Sequence, residues 1–300
     1  MNAYGVPWFS TTTMDRQALE QLETLHGMPP NEIILRKLLG CRGMSELWLA
    51  SHPAVPFTFM VKYGTQTEEE NTYLFGQYER EYESSQTLYK NGLIDCTAAI
   101  VDFDVDITGH PYLYEEYVLS MTIERLMMQK HEWPFVRELL KKIATTLTSI
   151  HSVGLVHRDI KPSNILLDSH GEIRLIDFAL ATIDGHWHRY HPVGLAIGTP
   201  LYMSPAQAYG RKNMLTSASD WYSIGIMLFE WMTGSVPFQG ETAEDTLYMH
   251  CFSPAPLPNN QNIIGAPQEL PEICQSLLCK EPNARLSAVR YFKQLLNRTE

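Results

Sequence analysis

The sequence predicts an α+β chain in two lobes, a small antiparallel β-sheet lobe carrying one helix and a larger, mainly α-helical lobe. Three observations predict it. The chain has 300 residues and is 44% hydrophobic, enough to bury a large core and long enough for two lobes that share a cleft. Between residues 33 and 118 the apolar residues come in short runs broken by turn residues, with one stretch of helical spacing among them. Beyond Pro134 the spacing becomes helical and stays so.

Residues 1–30 form an extension with a short amphipathic helix from Asp15 to His26, apolar at Ala18, Leu19, Leu22 and Leu25 and stopped by Gly27 and Pro29-Pro30. The first lobe follows over 31–118. Its strands are expected at Ile33–Leu35, Leu47–Leu49, Phe57–Val61, Ala98–Val105 and Tyr112–Val118, the last two separated by the turn Thr108-Gly109-His110. Its helix is expected at Leu74–Tyr89. The second lobe, 119–300, opens on a helix with Val136, Leu139, Leu140, Ile143, Leu147 and Ile150 on one face, ending near Gly154. A second apolar helix runs from Trp221 to Met232, and the last third reads as helices joined by proline-rich turns.

Composition excludes several functions. A formal charge of -11 leaves no basic excess to neutralise phosphates, so no nucleic-acid partner is expected. The five cysteines are scattered without a paired CxxC spacing and read as reduced thiols. No basic stretch followed by an apolar run opens the chain, and the longest apolar run, Ile224 to Met232, is broken by Glu230 and too short for a bilayer. A reducing cytoplasm and no membrane insertion are the expectations.

The chemistry concentrates in His157-Arg158-Asp159-Ile160-Lys161-Pro162-Ser163-Asn164, followed by the apolar strand Ile165-Leu166-Leu167. Phosphoryl transfer needs a carboxylate to orient the attacking hydroxyl, a cation over the moving phosphate and an oxygen ligand for magnesium. Asp159, Lys161 and Asn164 supply all three within one short loop. Five specified positions would match by chance on the order of once in a few million starts.

This segment resembles the catalytic loop of the eukaryotic-type protein kinases, and the likeness extends from about residue 33 to 297. The resemblance implies a protein-kinase-like bilobal fold that uses ATP with magnesium or manganese. A lysine two residues after the aspartate is the serine/threonine version of the loop, and the Met-Ser-Pro run with the compact inserts is similar to bacterial members. The family then implies a set of roles. Asp177, eighteen residues after Asp159 in Ile176-Asp177-Phe178-Ala179, holds metal together with Asn164. Lys62, in Phe59-Met60-Val61-Lys62, grips the α- and β-phosphates. Glu81 is assigned to Lys62, because among the glutamates of the Leu74–Tyr89 helix it falls inside the apolar arc and a buried carboxylate needs a partner.

Leu39-Gly40-Cys41-Arg42-Gly43-Met44-Ser45-Glu46-Leu47 is similar to the phosphate-covering hairpin of the family, with Leu39, Gly40, Gly43, Ser45 and Leu47 as nucleotide contacts; Arg42 and Ser45 stand where glycines are usual. Glu116 to Val118 is similar to the adenine-contacting hinge. Gly198-Thr199-Pro200 through Pro205 resembles the peptide-accepting loop, whose Thr199 hydroxyl bridges Asp159 and Lys161 in the family; it is the main reason to expect a protein substrate. Asp220 opens the Trp221 helix, where the family uses it to accept backbone bonds from the catalytic loop; an N-cap for that helix is a competing but compatible reading.

Three further positions and one loop depart from the pattern. Ala179 replaces a glycine after Asp177-Phe178 and is expected to stiffen that loop, at about 1–2 kcal/mol for any positive φ. Ala206 replaces a glutamate that pairs with an arginine, here Arg285, which is therefore expected to be exposed or re-paired. Glu115 stands at the back of the pocket where an apolar residue is usual and must find Lys62 or water. The loop from 183 to 198 holds Tyr190 and three histidines but no serine or threonine, so no mid-loop phosphoserine or phosphothreonine switch is expected. The sequence thus reads as an ATP-dependent serine/threonine kinase of protein substrates that also phosphorylates itself. A pseudokinase scaffold and a kinase of small molecules stay open at this point.

Overall fold

Alternation along the strands decides what each face of the first unit carries. A computed structural model describes residues 33–183, 198–210 and 215–298, which divide into two compact units. The amphipathic segment before residue 31, and His186, His188, Tyr190 and His191, lie outside the described residues. The first unit comprises 33–120 and 167–179. It holds strands β1 (Ile34–Arg42), β2 (Ser45–Ser51), β3 (Thr58–Gly64), β4 (Ile100–Val105) and β5 (Pro111–Glu115) in one antiparallel sheet, in the order β1-β2-β3-β5-β4. Arg42 pairs with Ser45 across a two-residue turn, and Gly43 supplies the positive φ of 57° that such a turn demands.

Helix α1 (Thr72–Lys90) is started by Asn71, whose side chain accepts from the Leu74 amide at 2.9 Å. Leu74 and Tyr78 of α1 pack on Ile100 and Leu113, while the opposite sheet face buries Phe59, Val61, Val101, Tyr112 and Tyr114. Lys62 pairs with Leu113 and Met60 with Glu115, so by the two-residue period all four side chains share the face that α1 covers. The sequence set the limit of this part at residue 118. The unit runs to 120 and also takes in 167–179, including the end of β6 (Ile165–Asp168) and all of β7 (Ile173–Leu175). Thr97 bridges Leu175 in parallel, and Arg174 joins the Thr97 carbonyl to Asp168 at 3.2 Å each, contacts between residues too far apart in the chain for local pattern to anticipate.

The second unit comprises 121–166, 180–183, 198–210 and 215–298. Its longer helices are α2 (Trp133–Ser152), α3 (Ser217–Thr233), α4 (Ala243–Phe252), α5 (Leu270–Leu277) and α6 (Pro282–Leu296). The face predicted for α2 is the buried one, from Val136 to Ile150. Helix α3 is buried on nearly all sides and begins four residues earlier than the apolar run suggests, because Thr216 caps it. The cap reading of Asp220 is thereby corrected: it stands inside the first turn. Gly225 lets α3 approach α5, since a Cβ there would meet Leu278 Cδ2 at 2.9 Å and Leu277 Cβ at 3.0 Å. Among the described residues no helix is long and apolar enough to cross a membrane.

Arg285 is 1% exposed, so exposure is not its solution; it is re-paired. Its guanidinium donates to the carbonyls of Ala218 at 2.6 Å, Cys279 at 2.8 Å and Lys280 at 3.2 Å, and lies 4.9 Å from the centre of the Tyr222 ring. Burial pulls its pKa down to about 10, which leaves it charged at neutral pH. Ala206 is itself buried and small, so the missing glutamate leaves no unpaired carboxylate behind.

Candidate active site

The residues singled out by the sequence fall into two groups of side chains, one in each unit. In the first unit, β3 aims Lys62 at the buried face of α1, where its Nζ lies 2.6 Å from Glu81 Oε2 and 3.8 Å from Asp177 Oδ1. The Tyr78 ring centre is 5.5 Å away. Glu81 is 3% exposed, so the helical arc did select the inward carboxylate. Burial alone would lower the pKa of Lys62, but the charges of Glu81 and Asp177 outweigh it and hold the amine firmly charged.

Asp177 follows β7 in a left-handed conformation, φ 68°; among the described residues the only other non-glycine with positive φ is Arg158, at 69°. Ala179 is not in that region, so its methyl group is unstrained in this conformation. The Ala179 carbonyl instead accepts from Arg80 Nε at 2.7 Å.

Glu115 ends β5 at 6% exposed, with one carboxyl oxygen lacking any hydrogen-bond partner. Burial, and then the charge of Glu81, push its pKa up to about 8 against the ordinary 4.5. It feels the charge of Lys62 but makes no hydrogen bond to it, and its raised pKa leaves it mainly protonated at neutral pH. Between pH 4.5 and 8 the unfolded chain has released this proton and the folded chain still holds it, so stability falls as pH rises through that window and levels off above it. Glu115→Gln removes the dependence. Thermal melts near pH 8 are expected to show the variant more stable than the parent by about 4 kcal/mol, with the difference shrinking towards pH 4.5; equal melting curves at both ends would contradict it.

The remaining residues predicted for this unit sit as follows. Gly40 pairs with Leu47 across the hairpin, Leu39 is exposed, and Leu47 stands opposite Lys62. The Ser45 hydroxyl is turned inward, 5% exposed, and accepts from Tyr78 Oη at 2.8 Å; only its backbone remains to face a ligand. Glu116 donates its amide to the Ala99 carbonyl at 2.8 Å and its carboxylate accepts from the Ala99 amide at 3.3 Å, which fixes the start of the hinge segment. Val118 is half-buried.

In the second unit the loop 157–164 forms a closed set of bonds. Lys161 Nζ donates to Asp159 Oδ2 at 2.5 Å and to Thr199 Oγ1 at 2.9 Å, and the Thr199 hydroxyl donates to Asp159 Oδ1 at 3.0 Å. Asn164 Nδ2 donates to both the carbonyl and Oδ2 of Asp159 at 3.0 Å. Its Oδ1 is buried without a partner. An amide held by its nitrogen with a bare oxygen suits a hard cation, so the donor set fits magnesium or manganese.

Asp220, fully buried, accepts from the amides of His157 at 2.9 Å and Arg158 at 2.8 Å and from His151 Nε2 at 2.8 Å. Burial would raise its pKa, but the bond from His151 and the backbone amide bond hold it below the ordinary value. This charge-assisted clamp holds Arg158 in its left-handed conformation. Gln207 adds a bond that the sequence did not suggest, from Nε2 to the Arg158 carbonyl at 2.6 Å. His151 and Gln207 lie in unremarkable sequence; no spacing marks them, because each meets the loop only through the tertiary fold. Thr182 and Ser204 are 9% and 0% exposed, the latter tied into a capping box with Gln207.

The chain matches the family described as Protein kinase domain over residues 38–297. It is 33% identical over 258 residues to the serine/threonine-protein kinase AfsK of Streptomyces coelicolor, covering 85% of this chain and 30% of that one. It is 30% identical to PksC of the same organism, covering 84% and 46%, and 28% identical to PrkC of Bacillus subtilis, covering 82% and 37%, both named serine/threonine-protein kinases. The chain thus spans less than half the length of these curated relatives.

Proposed function

Since this chain belongs to the protein kinase domain family, we propose that it transfers the γ-phosphate of ATP to serine or threonine in protein substrates, itself included. The observation that carries the reading is the closed set Asp159, Lys161, Thr199 and Asn164. Asp159 orients the acceptor hydroxyl and takes its proton, Lys161 steadies the γ-phosphate, and Thr199 holds both groups at hydrogen-bond distance before a substrate arrives. Lys62, kept charged and aimed by Glu81, grips the α- and β-phosphates. Asn164 and Asp177 would hold the magnesium or manganese ion, whose charge offsets that of the phosphates. The hairpin backbone at Gly40, Gly43 and Ser45, with Leu39 and Leu47, covers the nucleotide, and Glu116 to Val118 receives the adenine.

A reducing cytoplasm suits this chemistry: it supplies ATP, and all five cysteines are free. A nucleotide-binding scaffold without catalysis, for which Arg42, Glu115, Ala179 and Ala206 argue, is disfavoured because Lys62, Asp159, Asn164 and Asp177 are all present. Incubation with γ-labelled ATP, magnesium and a generic basic protein tests the proposal. Label is expected on serine or threonine of both the acceptor and the chain. Nucleotide binding with no transfer would establish the scaffold instead, and transfer to small acceptors alone would overturn the protein substrate.

A further inference from the structure

Arg80 precedes Glu81 on α1 and is as deeply buried, at 3% exposed. Its Nε donates to the Ala179 carbonyl, while Nη1 has no hydrogen-bond partner and the Tyr73 ring centre lies 5.7 Å from the guanidinium carbon. Glu79, Glu83 and Glu81 lie near enough to favour its charge, but its hydrogen bond goes to a neutral carbonyl and Nη1 is unsatisfied, a costly arrangement where packing alone would accept an apolar residue. The carbonyl it holds belongs to the segment of Asp177. That segment is bridged to Thr97 at Leu175 on one side, Phe178 is 2% exposed, and Asp177 between them keeps φ at 68°. A left-handed aspartate persists only where the surroundings over-determine it. Consecutive residues of one helix turn therefore take hold of Lys62, through Glu81, and of the Asp177 loop, through Arg80.

We propose that Arg80 is a positioning residue for the metal-binding carboxylate, latching the Asp177 loop to α1 through the Ala179 carbonyl. The proposal rests on the kinase reading for the metal itself. Without the latch the loop keeps its fold but samples other conformations, and the carboxylate meets its ion less often. Nucleotide contacts made by Lys62 and Glu81 stay as they are.

The test is binding of a fluorescent ATP analogue, titrated with magnesium, in the parent chain, Arg80→Ala and Arg80→Lys, together with amide hydrogen exchange over 177–180 without ligand. In Arg80→Ala the magnesium needed for half-maximal binding is expected to rise about tenfold, as loss of an outer partner does at other metal sites. Affinity in the presence of chelator should stay within about twofold, and amide exchange over 177–180 should quicken. Arg80→Lys keeps a donor on a long stem and should fall between the two. An unchanged magnesium requirement in Arg80→Ala overturns the proposal whatever happens to the melting temperature; should that variant not fold, a parental value in Arg80→Lys does the same. A parent chain that binds no nucleotide would sink the kinase reading and the metal half of the proposal with it, while exchange rates would still report whether Arg80 fixes the loop.

Discussion

Asp159→Asn is expected to cut phosphotransfer by about a thousandfold, measured with labelled ATP and a protein acceptor, while leaving the melting temperature and nucleotide affinity close to those of the parent. The surrounding bonds explain why the fold should not notice. Asp159 Oδ2 takes bonds from Lys161 and Asn164, and an amide oxygen in its place takes the same two. Oδ1 accepts from Thr199, and an amide nitrogen there can donate to a hydroxyl that turns its own hydrogen away. What is lost is the negative charge and the capacity to accept a proton, both of which the transfer step needs. Residual activity within tenfold of the parent would mean that another group accepts the proton.

Arg285→Ala is expected to be the most damaging change far from the chemistry, with a loss of about 3–5 kcal/mol in urea or thermal unfolding. The carbonyls of Ala218, Cys279 and Lys280 share one guanidinium, and its removal leaves them buried beside a cavity next to Tyr222. Arg285→Lys should recover less than half, because a point ammonium cannot fork to carbonyls in two segments. Activity should fall along with stability: Ala218 and Asp220 share the first turn of α3, and Asp220 is the clamp on His157 and Arg158. A melting temperature unchanged in Arg285→Ala would show that water replaces the guanidinium without loss.

Much of the candidate site was legible before any coordinates. Asp159, Lys161 and Asn164 lie within six residues of chain, so their mutual arrangement is a local property of one loop. Glu81 could be chosen among neighbouring glutamates because helical periodicity states which face is buried. Strand limits were less readable. The β1 residues are mostly exposed, so the nine-residue strand shows only a short apolar run, and β5 stops at Glu115 where the backbone leaves the ladder to bond with Ala99. The consequences of Ala179 and Ala206 were not readable at all. Whether a methyl group is strained depends on a φ angle, and whether an arginine is orphaned depends on carbonyls up to 67 residues away.

By itself the sequence determined the order of sheet and helix, the buried faces of α1 and α2, and the loop chemistry of 157–164, because each depends on residues within a few turns of one another. Only the tertiary structure decided which partner satisfies Arg285, that burial and Glu81 raise the pKa of Glu115, that the Ser45 hydroxyl turns from the hairpin to Tyr78, and that Arg80 bonds to the Ala179 carbonyl. The reason is physical: burial and hydrogen-bond satisfaction are properties of what surrounds a group, and those surroundings are assembled from distant parts of the chain.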